Sequence, residues 1–463
     1  MDNNYDFVVV GGGTAGCASA YIASKLGYKV LLIEKNSYLG GTMTGSLVVP
    51  VMKSGENLIN TEFYNDLVKK MQEYKAQIAF QNNNGWFNPQ ILKIVLEEML
   101  VSNGVDILFN SHVIAAASNK NLISNLFIAS INKNFNSYSN VCKKNNNKIL
   151  SAYNYSIHTD NIKISAQNYE ELLSVCIGAR YVIDATGNSE ICQILNCEFL
   201  EDKNKNQPVN LRFIMSGVNV DEFGKWLTDT DSDREVSPVE VIDGITHLST
   251  AYTWDSGRRW ALAPLFKRAI DDGVLKELDS NYFQLFTIAQ MPDSIAFNCP
   301  RLNVNDELFE AECVSKALID ARSSIFRLSN FCKKYLPGFK NAYISDIADM
   351  LGIRVSKRIK GRYVLTKDDI INSKKFKNPV AVSNYPIDVH TTDKKGVPLK
   401  QINEYQIPVE CLMTSEFDNL FVAGRSLSAD FEAQASARVQ GTCFSMGEGL
   451  VKYIAKNLDS SRN

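Results

Sequence analysis

Four glycines stand within six positions, Gly11, Gly12, Gly13 and Gly16, between an apolar run at 7–10 and a small-residue stretch that starts at Ala15. Strand, tight turn and helix in that order need a first glycine to make the turn, a second so that backbone can approach a pyrophosphate, and a third for close helix–strand packing. The helix N-terminus then faces the phosphate charge. This helix is expected to close at Gly27, a C′ glycine. The next apolar run, 30–33, ends on Glu34, eighteen positions after Gly16, where a carboxylate accepts hydrogen bonds from ribose hydroxyls. An ordinary tight turn with a surface glutamate is the competing reading. The flanking strand, helix and acidic strand end together imply a bound dinucleotide.

Composition narrows what else the chain can do. Its 463 residues allow two or three domains, or one large α/β body with an insert. Forty-nine basic against fifty-one acidic side chains leave a formal charge of −2, no field for gathering nucleic acid or anionic lipid. No apolar run reaches the roughly 18 to 20 residues of a membrane span. The first strand begins too early for a secretory leader, so the expected compartment is the cytoplasm. Ten scattered cysteines form no CxxC pair, and with four histidines no metal centre is expected.

Along the chain, Asn88 and Pro89 open a second helix with an apolar stripe at Ile91, Leu92, Val95, Leu96 and Met99, and a strand is expected at 105–109. Residues 119–167 turn to Asn, Lys and Ser, the composition of a surface elaboration. "ARYVIDATGNS" restores a buried strand at 181–185. "QLFTIAQMPDSIAFNC" reads as a hairpin around its Pro-Asp pair. One long helix is expected over 434–457. The division is a first part at 1–200, an inserted unit at 201–330, and a return to the first body at 331–463.

Three later stretches specify the dinucleotide: "EKNSYLGGTMTG", "DATG" at 184–187, and "NLFVAGRSLSADFEAQASARVQGTCFSMGEG". With these, the chain resembles the bacterial FAD-dependent oxidoreductase family of the glutathione-reductase-like FAD fold. The resemblance runs in order through nearly the whole chain. It implies a three-layer α/β FAD-binding domain, built from both chain ends, with an inserted α+β substrate domain. It places Gly11, Gly13, Thr14, Ala15 and Gly16 at the pyrophosphate and Glu34 at the adenosine ribose. Lys35, Gly41, Thr42 and Gly187 follow as lesser contacts, with Ala185 and Thr186 in the same turn. Val113, beside His112, frames the adenine. From the closing segment come Gly424, Arg425, Asp430, Ala437, Arg438, Val439 and Thr442. Arg425 stands where many related flavoproteins carry an acidic residue, which leaves Asp430 or Ser426 as the ribityl partner.

No second GxGxxG turn follows, so the resemblance implies one flavin facing one substrate cavity, with a hydride passing between a small organic molecule and flavin N5. Direction is open, and the electron acceptor is open among oxygen, a quinone or another protein. Arg354 and Arg358 lie four apart and share a face on either a helix or a strand, suited to a carboxylate. A solvated basic surface is the alternative. His390, in "NYPIDVHTTD", has the ordinary pKa of a proton donor or base at neutral pH, and a hydrogen-bonded loop histidine is the competing, more frequent outcome. Tyr405 and Arg438 are further candidates, and Arg301 reaches in from the inserted unit. An NAD-dependent dehydrogenase using the same turn, and a flavin-binding sensor or structural protein, are the alternatives.

Overall fold

The computed structural model describes residues 4–52, 54–55, 57–130, 148–151, 175–201, 205–252, 261–302, 310–390 and 401–459. Most of the polar stretch expected over 119–167 lies outside them. The first strand, Asn4–Val10, is buried from Phe7 onward and the next, Val30–Ile33, throughout, each as a continuous apolar run, the pattern of parallel strands covered on both faces. Parallel pairing sets Asp106–Leu108, Val30–Ile33, Asn4–Val10, Val175–Asp184 and Leu420–Val422 side by side. Three antiparallel strands, Leu122–Ser130, Ser111–Asn119 and Lys148–Ser151, extend the sheet from the N-terminal half of Val175–Asp184.

One face carries helix Thr14–Lys25 against helix Gln440–Asn457. The approach is close: a Cβ on Gly447 would stand 2.3 Å from the Ala15 carbonyl oxygen. Ser19 Oγ donates to the Gly447 carbonyl at 3.1 Å. The two ends of the chain thus make one body. Its parallel strands finish at a common edge, where Val10, Glu34, Ala185 and Gly424 emerge, the edge at which open α/β sheets bind ligands.

The second sheet has six strands, all antiparallel, in the order Val239–Ile242, Ile245–Tyr252, Phe283–Ile288, Met291–Phe297, Phe213–Ser216, Tyr343–Ile347. Phe213 stacks on Phe297 at 4.4 Å between ring centres. Phe331, on helix Ala311–Tyr335, packs on Phe266 and Phe283 beneath. The division expected at 330 falls inside that helix, and the sheet's outer strand lies beyond it.

Two local expectations change as well. The hairpin turns at Ala289 and Gln290, where Gln290 takes φ 62°, while Pro292 and Asp293 belong to the second strand. The single closing helix is two, Phe431–Ala437 and Gln440–Asn457, because Val439 is extended at φ −66°, ψ 151°. Among the described residues no helix is long and apolar enough to cross a membrane.

Candidate active site

A cavity of about 940 Å³ opens at the common strand edge and runs on to the inserted sheet. Its size is that of a site for a large cofactor or a drug-sized ligand. At the turn the glycines divide their work. A Cβ on Gly16 would lie 1.9 Å from the Gly11 carbonyl oxygen, so Gly16 serves packing and does not line the cavity. A Cβ on Gly13 would meet only Gly41 Cα at 3.9 Å and otherwise project into open space. Helix Thr14–Lys25 has no side-chain cap, so its first N–H groups and positive end are left for an anion.

Glu34 is 5% exposed and accepts from Gly12 N at 2.6 Å and Asn36 N at 2.8 Å. Ser111, His112 and Val113 line the same part of the cavity, and Lys35 pairs across it with Glu190 at 2.7 Å. Gly11, Thr14, Ala15, Gly41, Thr42, Ala185, Thr186, Gly187, Gly424 and Val439 also line it. An empty cradle at Gly13, an uncapped helix and a buried carboxylate beyond it fit a dinucleotide such as FAD.

Several expected residues lie elsewhere. Asp430 caps helix Phe431–Ala437, accepting from Ala433 N at 2.7 Å, and is not in the cavity wall. Ala437 is sealed inside that helix, and Thr442 Oγ1 turns to Ser383 Oγ at 3.3 Å. Ser426 is fully buried outside the wall. Arg425 does line the cavity, yet its N–H groups go to Gly187 O at 2.7 Å, Ile353 O at 3.0 Å and Asn188 Oδ1 at 2.8 Å. It ties the "DATG" turn to the segment before Arg354.

Arg354 and Arg358 share no face, because their segment is neither helix nor strand. Arg358 donates to Ala429 O at 2.6 Å, away from the cavity. Tyr405, fully buried, shares a hydrogen bond with Ser436 at 2.7 Å and does not reach it either.

Beyond the turn the cavity becomes a charged chamber. Arg354 donates to Pro208 O at 2.6 Å, and burial pulls its pKa down to about 9. Arg301 enters from the inserted unit, its guanidinium 3.4 Å from the centre of the Tyr282 ring. Its Nη2 is 2.8 Å from His390 Nδ1. A guanidinium only donates, so Nδ1 accepts and the ring proton sits on Nε2, 3.0 Å from Asp388 Oδ2. Burial and the charge of Arg354 pull His390 down to about 3, outweighing Asp388. The imidazole is therefore neutral, with both nitrogens engaged.

Burial alone would raise Asp388; His390 and the guanidiniums of Arg438 and Arg354 instead hold it below the usual carboxylate range. Arg438 Nη2 lies 3.3 Å from Asp388 Oδ2. The break between the two closing helices is what frees Arg438, Val439 and Gln440 to line the wall. Arg212, Tyr282, Tyr385, Asp388 and Gln440 were not singled out by sequence. The signals available were a lone arginine in the apolar run "NLRFIM" and the acidic and aromatic neighbours of His390 in its own motif.

The family model for FAD dependent oxidoreductase matches residues 6–455. A cinnamate reductase of Clostridium sporogenes is 34% identical over 98 residues, 21% of this chain and 14% of that protein. A digeranylgeranylglycerophospholipid reductase of Methanococcus vannielii is 39% identical over 69 residues, 15% of this chain and 18% of that protein. Each match spans less than a fifth of the relative's length. The solved structure of a geranylgeranyl bacteriochlorophyll reductase-like protein from Thermoplasma acidophilum aligns with 99% of this chain and 80% of its own at 12% identity, TM-score 0.46.

Proposed function

We infer the reaction from family and geometry together: the chain belongs to the FAD-dependent oxidoreductase family, and FAD is its cofactor. When bound, FAD supplies a two-electron carrier that takes or gives a hydride at N5. The reaction proposed is hydride transfer between that atom and a small organic substrate held in the chamber, with no second nicotinamide site. One observation carries this reading: a single cavity joins the phosphate turn to the charged chamber.

In this reading the first amides of helix Thr14–Lys25 would hold the pyrophosphate and Glu34 would hold the adenosine ribose. Helix Gln440–Asn457 has no side-chain cap, and its first residue lines the cavity. Its N–H groups and positive end would favour negative charge on the ring. His390 moves no proton, because both nitrogens are spent; it aims Arg301. Tyr385 lines the chamber with its hydroxyl 3.5 Å from Asp388 Oδ2, and burial pushes its pKa up. In the direction that reduces the substrate, it holds the proton that the substrate receives.

The experiment is anaerobic mixing of the FAD-loaded protein with a panel of small acids, alcohols and amines, and of the photoreduced protein with unsaturated acids. Loss or recovery of the flavin band with one compound supports the reading. Rapid bleaching by NADH or NADPH alone would contradict it, since that requires a nicotinamide site.

A further inference from the structure

We propose that the chamber is built for an anionic substrate, and specifically that Arg301 and Arg438 receive its carboxylate. This rests on the reading that the reaction takes place in the chamber. Charge is the first ground. Arg212, Arg301, Arg354 and Arg438 line this end of the cavity, and among the described residues Asp388 is the one carboxylate set among them. The other acids in the wall are engaged elsewhere: Glu34 with Gly12 and Asn36, Glu190 with Lys35, and Asp349 beside Tyr38 and Asp346. Positive charge kept from water is costly unless an anion answers it.

Unmade hydrogen bonds are the second ground. Arg301 Nε and Arg438 Nε are buried without a hydrogen-bond partner among the described residues. A guanidinium presents paired N–H groups that match the two oxygens of a carboxylate. Arg301 is also held ready, its face on the Tyr282 ring and its Nη2 on His390. A group fixed this way loses little freedom when the ligand arrives.

The pyrophosphate of FAD is not the anion in question. Gly447 stands against Ala15 at the phosphate turn, whereas Gln440 begins that helix beside Arg438. Seven residues separate them, about 10 Å of helix rise.

The test uses the full chain loaded with FAD. Succinate and benzoate are titrated against their neutral counterparts succinamide and benzamide, reading the flavin difference spectrum and the melting temperature. At least one acid should bind ten-fold or more tighter than its amide. Arg301→Gln and Arg438→Gln should each weaken that acid at least ten-fold with FAD per chain unchanged, and Arg438→Lys should retain part of the affinity. Equal binding of acids and amides would overturn the proposal. So would the absence of any acid-dependent signal at millimolar concentration, or loss of FAD in place of acid affinity in the glutamine variants. If acids bind through these arginines but no compound exchanges electrons with the flavin, the hydride reading fails while the anion site stands.

Discussion

The turn at 11–16 and the chamber around Arg301 belong to one cavity but are made in opposite ways. At the turn the backbone does the binding: amides at a helix start, a glycine with open space above it, and one carboxylate from the neighbouring strand end. Nearly all of it comes from one strand–turn–helix unit. The chamber is made of side chains drawn from the inserted sheet, the segment before Arg354, the 385–390 loop and the helix break at 438–439. Its bonds are not all made. Backbone sites are fixed by local spacing, whereas side-chain sites depend on segments that meet only after folding.

The sharpest way to break the contrast is a pair of methyl groups. Gly16→Ala should unfold the body or cost more than about 3 kcal/mol, since its Cβ meets a backbone oxygen at 1.9 Å and backbone yields little. Gly13→Ala should leave apo-protein melting unchanged, because its φ is −79° and its Cβ meets no protein atom closer than 3.9 Å. FAD affinity should still fall ten-fold or more. If Gly13→Ala melts early and keeps FAD, the cradle is a packing feature.

At the chamber, Tyr385→Phe should lower turnover about 100-fold, the scale of one acid–base group, with FAD content and substrate affinity nearly unchanged. A fall in affinity alone would make Tyr385 a binding group.

A smaller effect lies in pH. His390 is held neutral in the fold at a pKa of about 3, while the unfolded chain protonates it near 6.5. Its contribution is complete above about 6.5 and drains away as pH falls toward the folded value, at up to about 1.4 kcal/mol per pH unit. Melting of the wild type should therefore drop more steeply between pH 7 and 5 than melting of His390→Gln. Parallel curves would mean that His390 titrates normally.

The smallest effect is expected at Tyr405→Phe. It removes the hydroxyl bond to Ser436 outside the cavity, so stability should fall by about 1 kcal/mol and turnover should stay within two-fold.

The same contrast explains what could be read from the sequence. Gly11, Gly13, Gly16 and Glu34 announce themselves by position, and the Asn88 cap is found where its motif puts it, accepting from Gln90 N at 3.0 Å. At the chamber, Arg354, Arg438, Arg301 and His390 were recognisable as chemistry-bearing residues. Their partners were not. Spacing grouped Arg354 with Arg358, yet a segment without regular structure sends Arg358 to Ala429. For His390 the sequence left an acid or base and a hydrogen-bonded loop residue open, and Arg301, 89 positions away on its Nδ1, makes it the second. Tyr405 belonged to the right motif but faces inward, and Asp430 was needed for a helix cap. The helix break at Val439 carries no proline, and the glycine beside it, Gly441, lies inside the second helix.

The most direct test is a crystal structure of the FAD-loaded protein. The pyrophosphate should lie on the amides at Thr14, the ribose on Glu34, and the ring edge beside Gln440 and Arg438 with open volume left against Arg301. A flavin lying with its ring at the Glu34 end, or filling the space at Arg301 completely, would contradict this arrangement.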